Sequence, residues 1–183
     1  HRHCVLAWES ERIVIRRQYG TPRGGRISGG YNASAGIGGS DTVVSMYPCK
    51  DCIIENSIGD GRSGPMPLME MNSTFGSGTL MSGSKVLGSF CYKCDYGNGI
   101  YLNARNVADL NHTPQNITIK DVAFIEYDSP SSGIRASDGV NIDISNVFIS
   151  GVAGGPISTI GITADDTTNG ATPAQQSITI TNT

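Results

Sequence analysis

Apolar residues along this chain alternate with polar ones over short stretches, and each stretch is bounded by Gly, Asn, Asp or Ser. Alternation of this kind marks half-buried strands, and Ile, Val and Thr fit a pleated surface. No window of a dozen residues keeps apolar spacing at i, i+3, i+4 and i+7 without Gly, Pro or a β-branched pair intervening, so no helix is predicted. The strand units recur. Arg12-Ile13-Val14-Ile15 matches Asp51-Cys52-Ile53-Ile54, and the match runs on through Gly20 and Gly59. Asn116-Ile117-Thr118-Ile119 matches Asn141-Ile142-Asp143-Ile144, and Ser177-Ile178-Thr179-Ile180 repeats the unit again. A weaker copy is expected near Thr79-Leu80-Met81, giving steps of about 39, 27, 38, 25 and 36 residues.

A second set of strands precedes the first: Met69-Glu70-Met71, Ile100-Tyr101-Leu102, Ile134-Arg135-Ala136 and Ile160-Gly161-Ile162, with Val44-Ser45-Met46 as a looser member. A third short strand follows in two units, Val122 to Phe124 and Val147 to Ile149. A unit with one apolar face cannot bury it alone, whereas stacked units bury it in a continuous column. The period of two sends Ile117, Ile119, Ile142 and Ile144 inward and Thr118 and Asp143 outward, with Ile15 and Ile180 in the same interior column. Cys52 takes the inward slot held by Ile13 and Ile117. The expected fold is therefore all-β, a right-handed parallel β-helix (β-solenoid) of about six coils, forming one domain over residues 1–183. The long loops lie at about 20–40 and 103–115. A β-sandwich also has many short strands but needs hairpin signals between them. Asn98-Gly99 and Asn169-Gly170 instead sit inside long polar stretches.

The units Asn116 to Tyr127 and Gly139 to Gly151 resemble the repeats of right-handed parallel β-helix proteins of the pectate-lyase-like superfamily. The stretch from His3 to Arg17 is similar, more loosely, to coils of extracellular β-helix proteins. The resemblance implies a fold shared by pectin-degrading enzymes, phage tailspikes and surface adhesins, and a fold alone does not choose among them. Thr183 follows directly on the last strand and His1 enters close to the first. The expectation is an excerpt of a longer solenoid, or a chain capped by a neighbouring copy.

Composition narrows the field further. Of 183 residues 24 are Gly and 8 Pro, charged residues make up 16%, and the net charge is -3. Scattered cations and mild acidity argue against a nucleic-acid partner, and no apolar run spans a bilayer. The expected location is extracellular, or a cell or virion surface. If the second strand set aligns, Glu70, Tyr101 and Arg135 form one row flanked by Asn72, Asn103 and Ser137. A carboxylate, a ring and a guanidinium on a rigid sheet suit sugars, Arg forking onto a uronate or sialate. The plainer alternative is a solvated strand face.

Candidate catalysis is sparse. Asp165-Asp166 is the only adjacent acidic pair, and no matched carboxylate set of the glycosidase kind stands out. Asp138, Asp165 and Asp166 at one corner would offer oxygen ligands to calcium, against an ordinary role in turns. Cys49, Cys52, Cys91 and Cys94 form two C-x-x-C pairs, with Cys4 left over. Core packing or a disulfide competes there with a structural zinc site, and otherwise no cofactor is expected. His1, His3 and His112 lack ligand or triad spacing. Acceptor sequons begin at Asn32, Asn72, Asn111 and Asn116, the third weakened by Pro114. Two functions follow as expectations. One is a noncatalytic structural or adhesive solenoid that presents a glycan-binding face and self-associates as a trimer or end-to-end filament. The other is a polysaccharide lyase or glycosidase, tailspike depolymerases included, with catalytic residues partly outside this chain.

Overall fold

The computed structural model describes residues 3–20, 42–60, 69–72, 82–92, 100–103, 114–127, 133–137, 139–151, 162–165 and 178–182. Among them the chain is all-β, and every paired strand runs parallel to its neighbour. Three ladders take their strands in rotation from successive passages of the chain. The first joins β1 (His3–Glu11), β4 (Thr42–Lys50), β7 (Met69–Asn72), β10 (Ile100–Asn103), β12 (Ile134–Ser137) and β14 (Ile162–Asp165). The second runs through β2 (Val14–Arg16), β5 (Ile53–Glu55), β8 (Lys85–Leu87), the front of β11 (Gln115–Tyr127), the front of β13 (Val140–Gly151) and β15 (Ile178–Thr181). The third joins β3 (Tyr19–Gly20), β6 (Ile58–Asp60), β9 (Phe90–Tyr92) and the rear halves of β11 and β13.

The register keeps like residues in columns. Ile15 pairs with Ile54, Ile54 with Val86, Val86 with Ile119, Ile119 with Ile144 and Ile144 with Ile180. Ile54, Val86, Ile119 and Ile144 are completely buried, and each large aliphatic side chain so buried contributes about 1.5–3 kcal/mol. The alternating burial along β13 shows strand periodicity, with Ile142, Ile144 and Val147 inside and Asp143 and Phe148 outside. Gly20 pairs with Gly59, as the repeat predicts.

Three expectations need correction. The third member of the second ladder is Lys85-Val86-Leu87, not Thr79-Leu80-Met81, which lies outside the described residues. Steps between equivalent interior residues are accordingly 39, 32, 33, 25 and 36 residues. In the first ladder Ile134 pairs with Ile162 and Arg135 with Thr163, two residues beyond the anticipated match to Ile160-Gly161-Ile162. Ile13 stands in the interior column yet is 39% exposed, whereas Cys52, next to it in that column, and Ile15, two residues on, are buried.

The corners explain the register. Positive φ recurs at Arg12 and Arg17, Asp51 and Asn56, Gly83 and Gly88, Asn116 and Asp121, and Asn141 and Asn146, each pair five residues apart. These positions stack through backbone bonds: Arg12 N donates to Lys50 O, Asp51 N to Ser82 O and Gly83 N to Gln115 O. Asn and Asp tolerate the left-handed region better than most L-residues. Here they also form side-chain ladders. Asn141 Nδ2 donates to Asn116 Oδ1 at 3.0 Å, Asn146 Nδ2 to Asp121 Oδ1 at 2.8 Å, and Asn182 Nδ2 to Asn146 Oδ1 at 3.2 Å. At Gly83 and Gly88 the side chains of Asp51 and Asn56 occupy the space that a Cβ would need.

Candidate functional site

The first ladder positions the row expected to carry recognition. Tyr101 pairs with Glu70 on one side and with Arg135 on the other, and Asn103 pairs with Asn72. Ser45 and Thr163 continue the column at positions 45 and 163. Neighbouring strands lie about 4.8 Å apart, so three chemically different positions fall within about 10 Å along one line. The strands hold Tyr101 and Arg135 by burying both neighbours: Ile100, Leu102, Ile134 and Ala136 are fully inside. Arg135, whose side chain is described, is half-buried between Ile134 and Ala136. The side chains of Glu70, Asn72, Tyr101 and Asn103 lie outside the described residues.

The other candidates fare differently. Cys49 and Cys52 are not joined in a disulfide, and both are completely buried. Cys49 Sγ faces Ala7 O at 3.5 Å, and Cys52 Sγ faces Lys50 O at 3.4 Å and Ser10 O at 3.7 Å. Cys91 is disulfide-bonded, and Cys94 lies outside the described residues. Among the described residues no group of three His, Cys, Asp or Glu side chains is gathered for a metal. Asp138 and Asp166, the side chain of Asp165, and the sequons at Asn32 and Asn111 also lie outside the described residues, as does the side chain of Asn72. Asn116 is exposed at a corner, where its Oδ1 accepts the bond from Asn141.

Two features escape a reading of periodicity. One is polar and internal. Ser84 Oγ accepts from Cys52 N at 3.2 Å and donates to Cys49 O at 3.1 Å. Ser57 Oγ accepts from Gln18 N, and Ser89 Oγ from Ser57 N. The other is an outer row of large apolar residues on the third ladder, where Tyr19 is 59% and Phe148 58% exposed. Only the pairing register brings its members together.

No family model, curated protein or solved structure matches the chain. Among the described residues no helix is long and apolar enough to cross a membrane.

Proposed function

We propose that the chain is a right-handed parallel β-helix of about six coils, and that it acts at an extracellular or particle surface as a noncatalytic, glycan-recognising structural element. In this reading the three ladders are the faces of one solenoid, and the six strands of the first ladder count its coils. Self-association, as a trimer or an end-to-end filament, belongs to the same reading. The observation that supports recognition most is the pairing of Tyr101 with both Glu70 and Arg135. That register sets a guanidinium-bearing position beside an aromatic one, with Asn72 and Asn103 in step one pair further along. Arg binds a planar carboxylate through two parallel N–H···O bonds, and a pyranose lays its C–H face on a ring. The ligand class is an acidic polysaccharide that carries uronate or sialate groups.

Binding to polygalacturonate and to a polysialate, followed by calorimetry, tests this. Arg135→Ala should weaken binding about tenfold or more, and Arg135→Lys should restore only part of it, because Lys cannot fork. Equal binding by parent and Arg135→Ala would remove the row from consideration. Release of reducing ends or of unsaturated uronate by the parent protein would replace the noncatalytic role with a depolymerase.

A further inference from the structure

The outward side of the third ladder carries an unbroken column in register: Tyr19 beside Ile58, Ile58 beside Phe90, Phe90 beside Ala123, and Ala123 beside Phe148. Their inward neighbours Gly59, Cys91 and Phe124 are buried, so the strand period turns this column toward solvent. Tyr19, Ile58 and Phe148 are 59%, 39% and 58% exposed. Beside it Tyr92 and Ile125 stand half-buried on neighbouring strands, and Asp60, in register with Tyr92, is buried. Phe90 and Tyr92 hold their rings parallel within 7°, with centroids 6.4 Å apart. The second ladder is unlike this, since its outward positions include Lys85, Lys120, Asp143 and the ion pair between Arg16 and Glu55.

Three properties of the strip select its occupant. The first is period: aromatic rings at Tyr19, Phe90 and Phe148 stand on alternate strands, with the smaller Ile58 and Ala123 between. At about 4.8 Å per strand the rings recur every ~10 Å along a strip of ~19 Å. A linear polymer whose alternate units present the same face meets that period. The second is charge. The described outward positions of this ladder include no Lys or Arg, and carboxylates border them: Tyr19 Oη donates to Asp60 Oδ2 at 2.7 Å, and Tyr92 Oη to Glu126 Oε1 at 3.4 Å. An anionic polymer is repelled there, while the phenol oxygens of Tyr19 and Tyr92 can accept from sugar hydroxyls. The third is area. The column and the residues beside it, about 7 Å away over ~19 Å, give on the order of 200 Å², against roughly 800 Å² per partner in a stable protein pair.

From these we infer that the Tyr19–Phe148 strip is a second glycan platform, specific for neutral linear polysaccharides with a two-fold repeat, of which β-1,4-linked glucans and mannans are the chemical type. The polymer lies across the strands, placing every second sugar on a ring. This does not rest on the Arg135 row: the face, the residues and the charge preference all differ.

The test uses the full chain with a soluble linear β-1,4-glucan and its mannan counterpart, in calorimetry and affinity electrophoresis. Tyr19→Ala and Phe148→Ala should each weaken binding about threefold to tenfold, the span for loss of one aromatic contact. Phe148→Trp should bind as well as the parent or better. Added salt should change little, since no charge pairs across the contact. Polygalacturonate should not displace the neutral polymer, which separates this platform from the other row. Failure of the parent to bind either neutral polymer overturns the inference, whatever the uronate result. So does unchanged binding by both alanine variants, and so does a dimer in sedimentation that Phe148→Ala dissolves, since a second copy would then cover the strip.

Discussion

At the scale of single residues, the corner positions combine two requirements that usually conflict: a left-handed backbone and a side chain that bonds to its neighbour. Asn and Asp meet both in the upper passages, where Asn141, Asn146 and Asn182 each donate to the residue stacked beside them. Gly83 and Gly88 meet the first by having no Cβ, at φ of 68° and 55°. The side chain of Asn56 then folds over Gly88, and a Cβ there would stand 2.7 Å from its Oδ1. Gly88→Ala should therefore cost about 1–2 kcal/mol, read from urea denaturation, as the left-handed penalty adds to displacement of Asn56. A neutral result would mean that the corner relaxes to another conformation. Ser84 is the internal counterpart. It satisfies a buried amide and a buried carbonyl at once, so Ser84→Ala should cost about 1–3 kcal/mol in the same assay. An unchanged midpoint would show that other groups pair with Cys52 N and Cys49 O.

At the scale of strands, the alternation of Ile117-Thr118-Ile119 and Ile142-Asp143-Ile144 is legible because their inward slots are all branched and apolar. Ile119 and Ile144 then pair as the repeat predicts. The unit at Ser84-Lys85-Val86 is illegible for the opposite reason. Its first inward slot holds a serine whose hydroxyl is satisfied by backbone, a compensation that hydrophobic patterning cannot register. The nearby Leu80 and Met81 draw the eye instead. The pairing of Tyr101 with Glu70 and Arg135 follows from the sequence, since all three sit between apolar neighbours in Met-x-Met, Ile-x-Leu and Ile-x-Ala triplets. The aromatic strip does not. Tyr19, Phe90 and Phe148 occur in unlike surroundings, and β3 and β9 span only 2 and 3 residues, too few to show a period.

At the scale of the molecule, each passage contacts chiefly the one before and the one after, so stability is shared mainly between neighbours along the interior column. Local opening should follow position along the stack. Ile117, Ile119, Ile142 and Ile144 are covered on both sides, whereas Ile13 is 39% and Ile180 45% exposed. Hydrogen exchange followed by mass spectrometry should show the amides of 117–119 and 142–144 protected the longest, with 14–16 and 178–181 exchanging well before them. Uniform protection would mean that the chain opens as a single cooperative unit.

The fixed interval of five residues between the paired corners contrasts with passages that vary from 25 to 39 residues. The chain thus keeps a fixed count between the paired corners of each passage. An inserted residue between those corners would throw both Asn/Asp columns out of step and turn the wrong side of a strand toward the interior. An insertion between one ladder's strand and the next instead falls in a connection that already differs in length from passage to passage. Parallel ladders of this kind can gain or lose residues between their strands while the strand register stays the same.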